Sequence, residues 1–177
     1  GKRNGKGKEY YDDGKLTKFE GEYFNGIRNG KGKEYYKNGK LMFEGEYLNE
    51  KRWNGKGYNK NGIIEFEIKN GNGKVKEYYN NGELMFEGEY LNGERNGKGK
   101  EYNKNIEIEF EGEYLKGKRN GKGKEYYFNG KLKFEGEYLN GERNGKGKEY
   151  NKNIKLEYDG EYLNGERNGK GKEYYYN

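Results

Sequence analysis

From Leu132 to Tyr138 the side chains alternate without a break. Leu132, Phe134, Gly136 and Tyr138 hold one parity, and Lys133, Glu135 and Glu137 hold the other. A strand sends successive side chains to opposite faces, so this run predicts a strand with one oily and one charged face. The same split returns at Leu41, Phe43, Gly45 and Tyr47, and at Leu84, Phe86, Gly88 and Tyr90. It returns again at Ile108, Phe110, Gly112 and Tyr114, and at Leu156, Tyr158, Gly160 and Tyr162. Ahead of each such strand stands a run like Gly121-Lys122-Gly123-Lys124-Glu125-Tyr126-Tyr127, in which Lys122 and Lys124 oppose the parity of Gly121, Gly123 and Glu125. Asn129-Gly130 lies between the two runs, as do Asn38-Gly39, Asn81-Gly82 and Asp13-Gly14 in other copies. Asn-Gly between alternating runs predicts a type I′ hairpin turn with positive φ at both central residues. At Asn103-Lys104-Asn105-Ile106 and Asn151-Lys152-Asn153-Ile154 the glycine is missing, and asparagine's tolerance of the left-handed region is expected to keep the turn tight.

The hairpins form a repeat. Asn-Gly-Lys-Gly-Lys stands at Asn4–Lys8, Asn29–Lys33, Asn96–Lys100, Asn120–Lys124, Asn144–Lys148 and Asn168–Lys172, and the last three steps are 24 residues each by subtraction. A fixed period of this size marks a repeat architecture. The joining loop Leu-Asn-Gly-Glu-Arg-Asn is too short for a parallel crossover, so successive hairpins should lie side by side as an antiparallel meander. At about 4.8 Å per strand, some seven units would advance on the order of 70 Å. Lys122 and Lys124 beside Glu135 and Glu137 would add cross-strand ion pairs that fix register. Glycines at fixed places between aromatics suggest room for a ring or a sharp curl of the sheet. Irregularities fall at Lys18 or a neighbour, read as an insertion before Phe19, and at Trp53, read as an insertion before Asn54. A shortened unit follows between residues 53 and 76. The expected organisation is one continuous array over 1–177, irregular around 53–76.

Composition changes this picture only partly. The 177 residues are 28% hydrophobic and 38% charged, which alone would favour disorder. Against that, 21 Tyr and 8 Phe at periodic positions supply a thin apolar layer. Cys, His, Pro, Ser, Ala and Gln are absent and Thr17 is the one threonine. No disulfide framework is available, so nothing indicates an oxidising compartment. No apolar run approaches the roughly 20 residues that span a bilayer, and the start does not read as a signal peptide. The chain opens and closes in mid-repeat and reads as a fragment of a longer protein.

Catalysis finds no footing. There is no Ser or Cys nucleophile and no His base or ligand. Glu-Gly-Glu pairs recur in identical surroundings, whereas a glycosidase needs two carboxylates in different environments. Gly93–Gly99 echoes a phosphate loop but is one residue short and lacks the Ser or Thr after Lys98. Asp12-Asp13 has no calcium-loop spacing after it and reads as a turn. No cofactor, no metal and no enzymatic activity are expected.

Phe86-Glu87-Gly88-Glu89-Tyr90-Leu91-Asn92-Gly93-Glu94-Arg95-Asn96-Gly97-Lys98-Gly99 resembles a MORN repeat, of the membrane occupation and recognition nexus family. The resemblance covers nearly the whole chain apart from 55–72. It implies a curled all-β ribbon of hairpins with an aromatic groove, serving as scaffold or adaptor. Family members are implied to bind peptides in the groove, to self-associate, or to meet anionic lipids.

Two surfaces therefore compete. A single sheet leaves one face uncovered, so the aromatic row is expected to act both as core and as groove for an extended or helical peptide. Its residues are Phe43, Tyr47, Trp53, Phe86, Tyr90, Phe110, Tyr114, Phe134, Tyr138, Tyr158 and Tyr162. The rival surface is an edge carrying Arg95, Lys98, Arg119, Lys122, Arg143, Lys146, Arg167 and Lys170, suited to anionic phospholipid or simply to keeping an edge solvated. Net charge is a modest +6 and Glu94, Glu142 and Glu166 lie nearby, which disfavours nucleic acid. The expected function is a cytoplasmic scaffold for a protein or peptide partner, with the membrane module as alternative. Self-association through end repeats and attachment to membrane or cytoskeleton stay open.

Overall fold

The computed structural model describes residues 1–12 and 14–176. The expectations placed on Asp13, as a turn residue and as half of an acidic pair, lie outside the described residues. The described residues hold fifteen β-strands. One sheet contains β1 (Gly5–Tyr10), β2 (Thr17–Phe24), β3 (Ile27–Tyr35), β4 (Leu41–Leu48), β5 (Lys51–Tyr58) and β6 (Ile64–Ile68). The other contains β7 (Gly73–Tyr78), β8 (Leu84–Leu91), β9 (Glu94–Tyr102), β10 (Ile108–Leu115), β11 (Lys118–Tyr126), β12 (Leu132–Leu139), β13 (Glu142–Tyr150), β14 (Leu156–Leu163) and β15 (Glu166–Glu173). Both sheets run in chain order, so the all-β antiparallel meander of repeated hairpins is as the alternation predicts. The chain divides into two compact units, Gly1–Glu94 and Arg95–Asn177.

The turns correct one expectation. Gly39 donates to the Tyr36 carbonyl and Tyr36 to the Lys40 carbonyl, at 2.9 Å each, which closes a three-residue loop. Only Gly39 there is left-handed (φ 77), so the loop is a type I turn followed by a left-handed glycine. Asn38 Oδ1 accepts the Lys40 amide at 2.9 Å and folds the asparagine back over the turn. The type I′ turns stand instead in the joining loops, where Asn92 and Gly93 (φ 54 and 75) or Asn140 and Gly141 (φ 54 and 102) are both left-handed. Where glycine is missing, the left-handed residue is Ile106 or Ile154, each at φ 63, not an asparagine. Asn103 and Asn151 accept two loop amides each, so the side chain holds the loop and the strain falls on the isoleucine.

In unit 2 one layer of strands covers its own oily face. Phe110 and Phe134 are fully buried, while Tyr114 and Tyr138 keep 4% exposure each. Each phenylalanine lies flat across a pair of glycines that face each other in register, Gly112↔Gly123 beneath Phe110 and Gly136↔Gly147 beneath Phe134. Tyrosines then meet the ring edge-on, at 5.7 Å (Tyr114) and 5.2 Å (Tyr138) from Phe110. Opposite parity carries the charges. Lys122 faces Glu137 and Lys124 faces Glu135, as expected from the alternation.

Unit 1 repeats this around Phe19 and Phe43, then departs from it. Ile68 stands opposite Gly55 and Val75 opposite Gly88, so side chains fill two places that regular repeats leave to glycine. Both are buried. The ladder between β6 and β7 shrinks to the one bridge Lys69↔Asn72, and the sheet breaks there. Trp53 is not an added residue. Arg52 takes the place of Arg28 opposite a tyrosine, and only two residues separate it from Gly55 where three separate Arg28 from Gly32. The residue inserted before Phe19 is a neighbour of Lys18 and not Lys18 itself. The extra residue lies in the preceding loop, where Tyr11 donates to Leu16, five residues on, while Tyr36 donates to Lys40, four on.

Two substitutions test these readings by chemical denaturation. A Cβ on Gly123 would sit 2.5 Å from the Phe110 ring and 3.0 Å from Tyr138. Gly123→Ala should therefore lower unfolding free energy by about 3 kcal/mol, at the upper end of overpacking effects. Ile106→Gly should raise it by about 0.5–1 kcal/mol, because relief of the left-handed strain exceeds the entropy glycine adds to the unfolded chain.

Candidate functional site on the aromatic face

The first strand of each hairpin contributes a glutamate to the aromatic face. Glu125 shares the parity of Gly123, so it points among the rings. It accepts the Tyr138 hydroxyl at 2.7 Å and Arg143 Nε and Nη2 at 3.0 and 2.7 Å. Arg143 also pairs with Glu149 and lies 4.1 Å above the Phe134 ring. One guanidinium thus joins two carboxylates of neighbouring hairpins and roofs the phenylalanine between them. Arg119 likewise lies 4.1 Å over Phe110, bound to Glu101, and Arg167 links Glu149 to Glu173. In unit 1, Glu9 accepts Tyr23 and Arg28 at 2.7 Å each, and Arg28 stands 4.1 Å over Phe19.

This packing sets the protonation states. The hydrogen bond from Arg28 outweighs partial burial and holds the Glu9 carboxyl down to about 2. Burial pushes Glu125 upward, yet the Arg143 and Tyr138 hydrogen bonds prevail and hold it at about 2. Burial, then the bond to Glu9, pushes the Tyr23 hydroxyl up to about 12. Tyr150, hydrogen-bonded to Glu135 from the other face, rises to about 12 through burial first.

Of the aromatic residues expected to line a groove, Phe43, Tyr47, Phe86, Phe110, Tyr114, Phe134, Tyr138, Tyr158 and Tyr162 are buried. Trp53 is half-buried and its carbonyl accepts the Gly71 amide. Tyr90 is partly exposed and lines an open cleft. The basic residues expected along one edge separate onto two faces. Arg95, Arg119, Arg143 and Arg167 pair with glutamates of the aromatic face. Lys98, Lys122 and Lys146 stand on the charged face, in register with Glu113, Glu137 and Glu161. Lys170 donates its backbone amide to Glu161. The inward glutamates were missed by sequence reasoning. Their parity with glycine, visible at Gly121, Gly123 and Glu125, was the available signal.

Within unit 1 the aromatic face opens into a cleft of about 370 Å³. Ile68 and Val75 form part of its floor, Met42, Met85, Tyr78 and Tyr90 its walls, and Lys18, Glu50, Lys51 and Glu77 its rim. The sheet break at β6–β7 supplies the floor, because the side chains there replace glycines. On the charged face of the same unit runs a trough of about 620 Å³ with Gly7, Gly21, Gly32 and Gly45 as its floor. Lys8–Glu20 and Lys33–Glu44 ion pairs, at 3.1 and 2.9 Å, line it. Among the described residues no His, Cys, Asp or Glu cluster is placed to hold a metal ion, and no helix is long and apolar enough to cross a membrane.

The MORN repeat model matches residues 19–40, 86–105, 134–153 and 158–177. The MORN repeat variant model matches residues 3–25, 71–92 and 119–140. No curated protein matches the chain.

Stability should form a plateau bounded on both sides. Glu9 and Glu125 titrate at about 2 when folded, below the ordinary 4.5, so their contribution is whole above pH 4.5 and is lost as pH falls towards 2. Tyr23 and Tyr150 titrate at about 12 rather than 10, so theirs is whole below pH 10 and is lost as pH rises through 12. Urea midpoints measured from acid to alkali should fall at both ends. Replacing Glu125 with Gln should flatten the acid limb.

Proposed function

The chain belongs to the MORN-repeat family, whose repeats are generally modules of protein and membrane interaction, and on that premise we propose that it is a non-catalytic scaffold that holds a protein or peptide partner on its aromatic face. The observation that carries this reading is the unit 1 cleft. It combines partly exposed Met85, Tyr78 and Tyr90 with a buried, ring-packed floor. Methionine fits irregular apolar partners, and tyrosine offers an apolar body with a polar tip. The buried rings Phe43, Tyr47 and Phe86 then act as rigid support, and contact falls to their partly exposed neighbours.

The membrane reading draws less support. Arg119 and Arg143 are committed to carboxylates. Lys122 and Lys146 stand opposite glutamates, so the charged face presents both signs at once. Such a surface attracts an anionic headgroup layer weakly.

Affinity capture from cell extract tests the choice. Wild-type protein should retain a partner that Met85→Glu loses about tenfold, while Lys122→Glu with Lys146→Glu retains it. Light scattering identifies the case where that partner is a second copy. Capture indifferent to Met85, together with salt-sensitive sedimentation with anionic vesicles lost in the lysine variant, would move the function to the membrane.

A further inference from the structure

We propose that the hairpin tips of unit 2 form a second docking edge, gripping an acidic amphipathic α-helix through Ile106, Phe128 and Ile154. These residues stand on three consecutive hairpins, in loops 103–107, 127–131 and 151–155, Ile106 and Ile154 at the third loop position and Phe128 at the first, where its neighbours carry Lys104 and Lys152. They are 54%, 72% and 52% exposed. Ile106 and Ile154 are also left-handed, at φ 63 each, where other copies place Gly39, Gly82 or Gly130. A β-branched residue in the left-handed region strains the backbone, and here half of it stays in water. Persistent strain of this kind is a sign of a surface shaped for contact. The edge is also held together. Lys131 Nζ donates to the Lys152 carbonyl at 3.0 Å, and the Tyr127 hydroxyl donates to the Tyr150 carbonyl at 2.8 Å.

Charge and pitch identify the occupant. The three loops carry Lys104, Lys131, Lys152 and Lys155 against one carboxylate, Glu107, which Asn103 Nδ2 already engages at 2.9 Å. A complementary partner is acidic. Successive tips are two strands apart, about 10 Å. Seven residues of α-helix advance about 10.5 Å, so side chains seven apart on one helix face meet successive tips. An extended peptide covers about 10 Å in three residues, which turns alternate contacts to opposite faces. The geometry therefore selects a helix lying along the edge, across the strands. This edge belongs to unit 2 and the methionine cleft to unit 1, so either can fail alone.

The probe is a synthetic acidic helix with leucines seven residues apart and glutamates beside them, read by fluorescence anisotropy on the whole chain. A scrambled peptide of equal composition serves as control. Wild type should bind the first peptide at least about tenfold more tightly than the second, with affinity falling as salt rises. Combining Ile106→Gly, Phe128→Ser and Ile154→Gly should abolish that preference. The two glycines relieve strain, so the variant should unfold no earlier than wild type, which separates lost binding from lost folding. Absence of peptide binding to roughly millimolar concentration overturns the proposal, as does equal binding of the scrambled peptide or of the variant. Sedimentation with phosphatidylserine vesicles that depends on these three residues, without peptide binding, assigns the edge to a membrane instead and equally overturns it.

Discussion

A phenylalanine ring can lie flat on a β-sheet only where the sheet has no side chains beneath it. That steric condition governs the aromatic face. Gly112 and Gly123 stand opposite each other under Phe110, and a Cβ on Gly123 would press 2.5 Å from the ring. Glycine normally weakens a strand, but here it lets a large apolar surface leave water without a second layer of structure. The edge-on tyrosines seal the ring's sides. Arginine supplies what is left, a planar guanidinium that stacks on the ring's open face while its hydrogens reach carboxylates at either side.

That arginine also couples the repeats. Arg143 holds Glu125 of the preceding hairpin and Glu149 of its own. The motif asparagine adds a second link, since Asn29 Oδ1 accepts the Asn49 amide and Asn120 Oδ1 the Asn140 amide. A third link runs through backbone alone, from Gly141 to the Arg119 carbonyl at 2.9 Å. All three reach one neighbour and no further. Stability in such a system is approximately a sum of repeat and nearest-neighbour terms. The buried charges are therefore less a source of net stability than a fixing of each hairpin's position on the last, which fits the limited net worth of buried ion pairs.

Period-two alternation made the fold legible because it survives in almost every copy. The family resemblance rested on the same positions. Less legible was anything decided by the third dimension. Glu125 looks like any surface glutamate unless its parity with Gly123 is taken to mean that it faces inward, and then Arg143 follows as its partner. Asn-Gly signalled a hairpin wherever it occurred but did not say which of two turn types each dipeptide adopts. Asn38 folds its side chain over Lys40 and leaves the left-handed place to Gly39, whereas Asn92 is left-handed itself. Burial of Phe43 and Tyr47 was hidden for a different reason. Composition suggested too little apolar material to cover a face, and the guanidinium was not counted as cover.

Interaction surfaces in a repeat protein are expected where the repeat is broken, because identical copies offer a partner no means of choosing a position. In unit 1 the break is Ile68 and Val75 in glycine places, which ends a ladder and opens a cleft lined by Met42 and Met85. Neither methionine has a counterpart at Lys133 or Glu157, the matching positions of regular copies. In unit 2 the break is Ile106 and Ile154 in glycine places of a different kind, where the departure alters no ladder and only changes what the tips present. The two departures share one logic. Each exchanges a residue that the backbone prefers for one that offers apolar surface, and each does so where the surrounding hydrogen bonds are strong enough to hold the chain in place regardless.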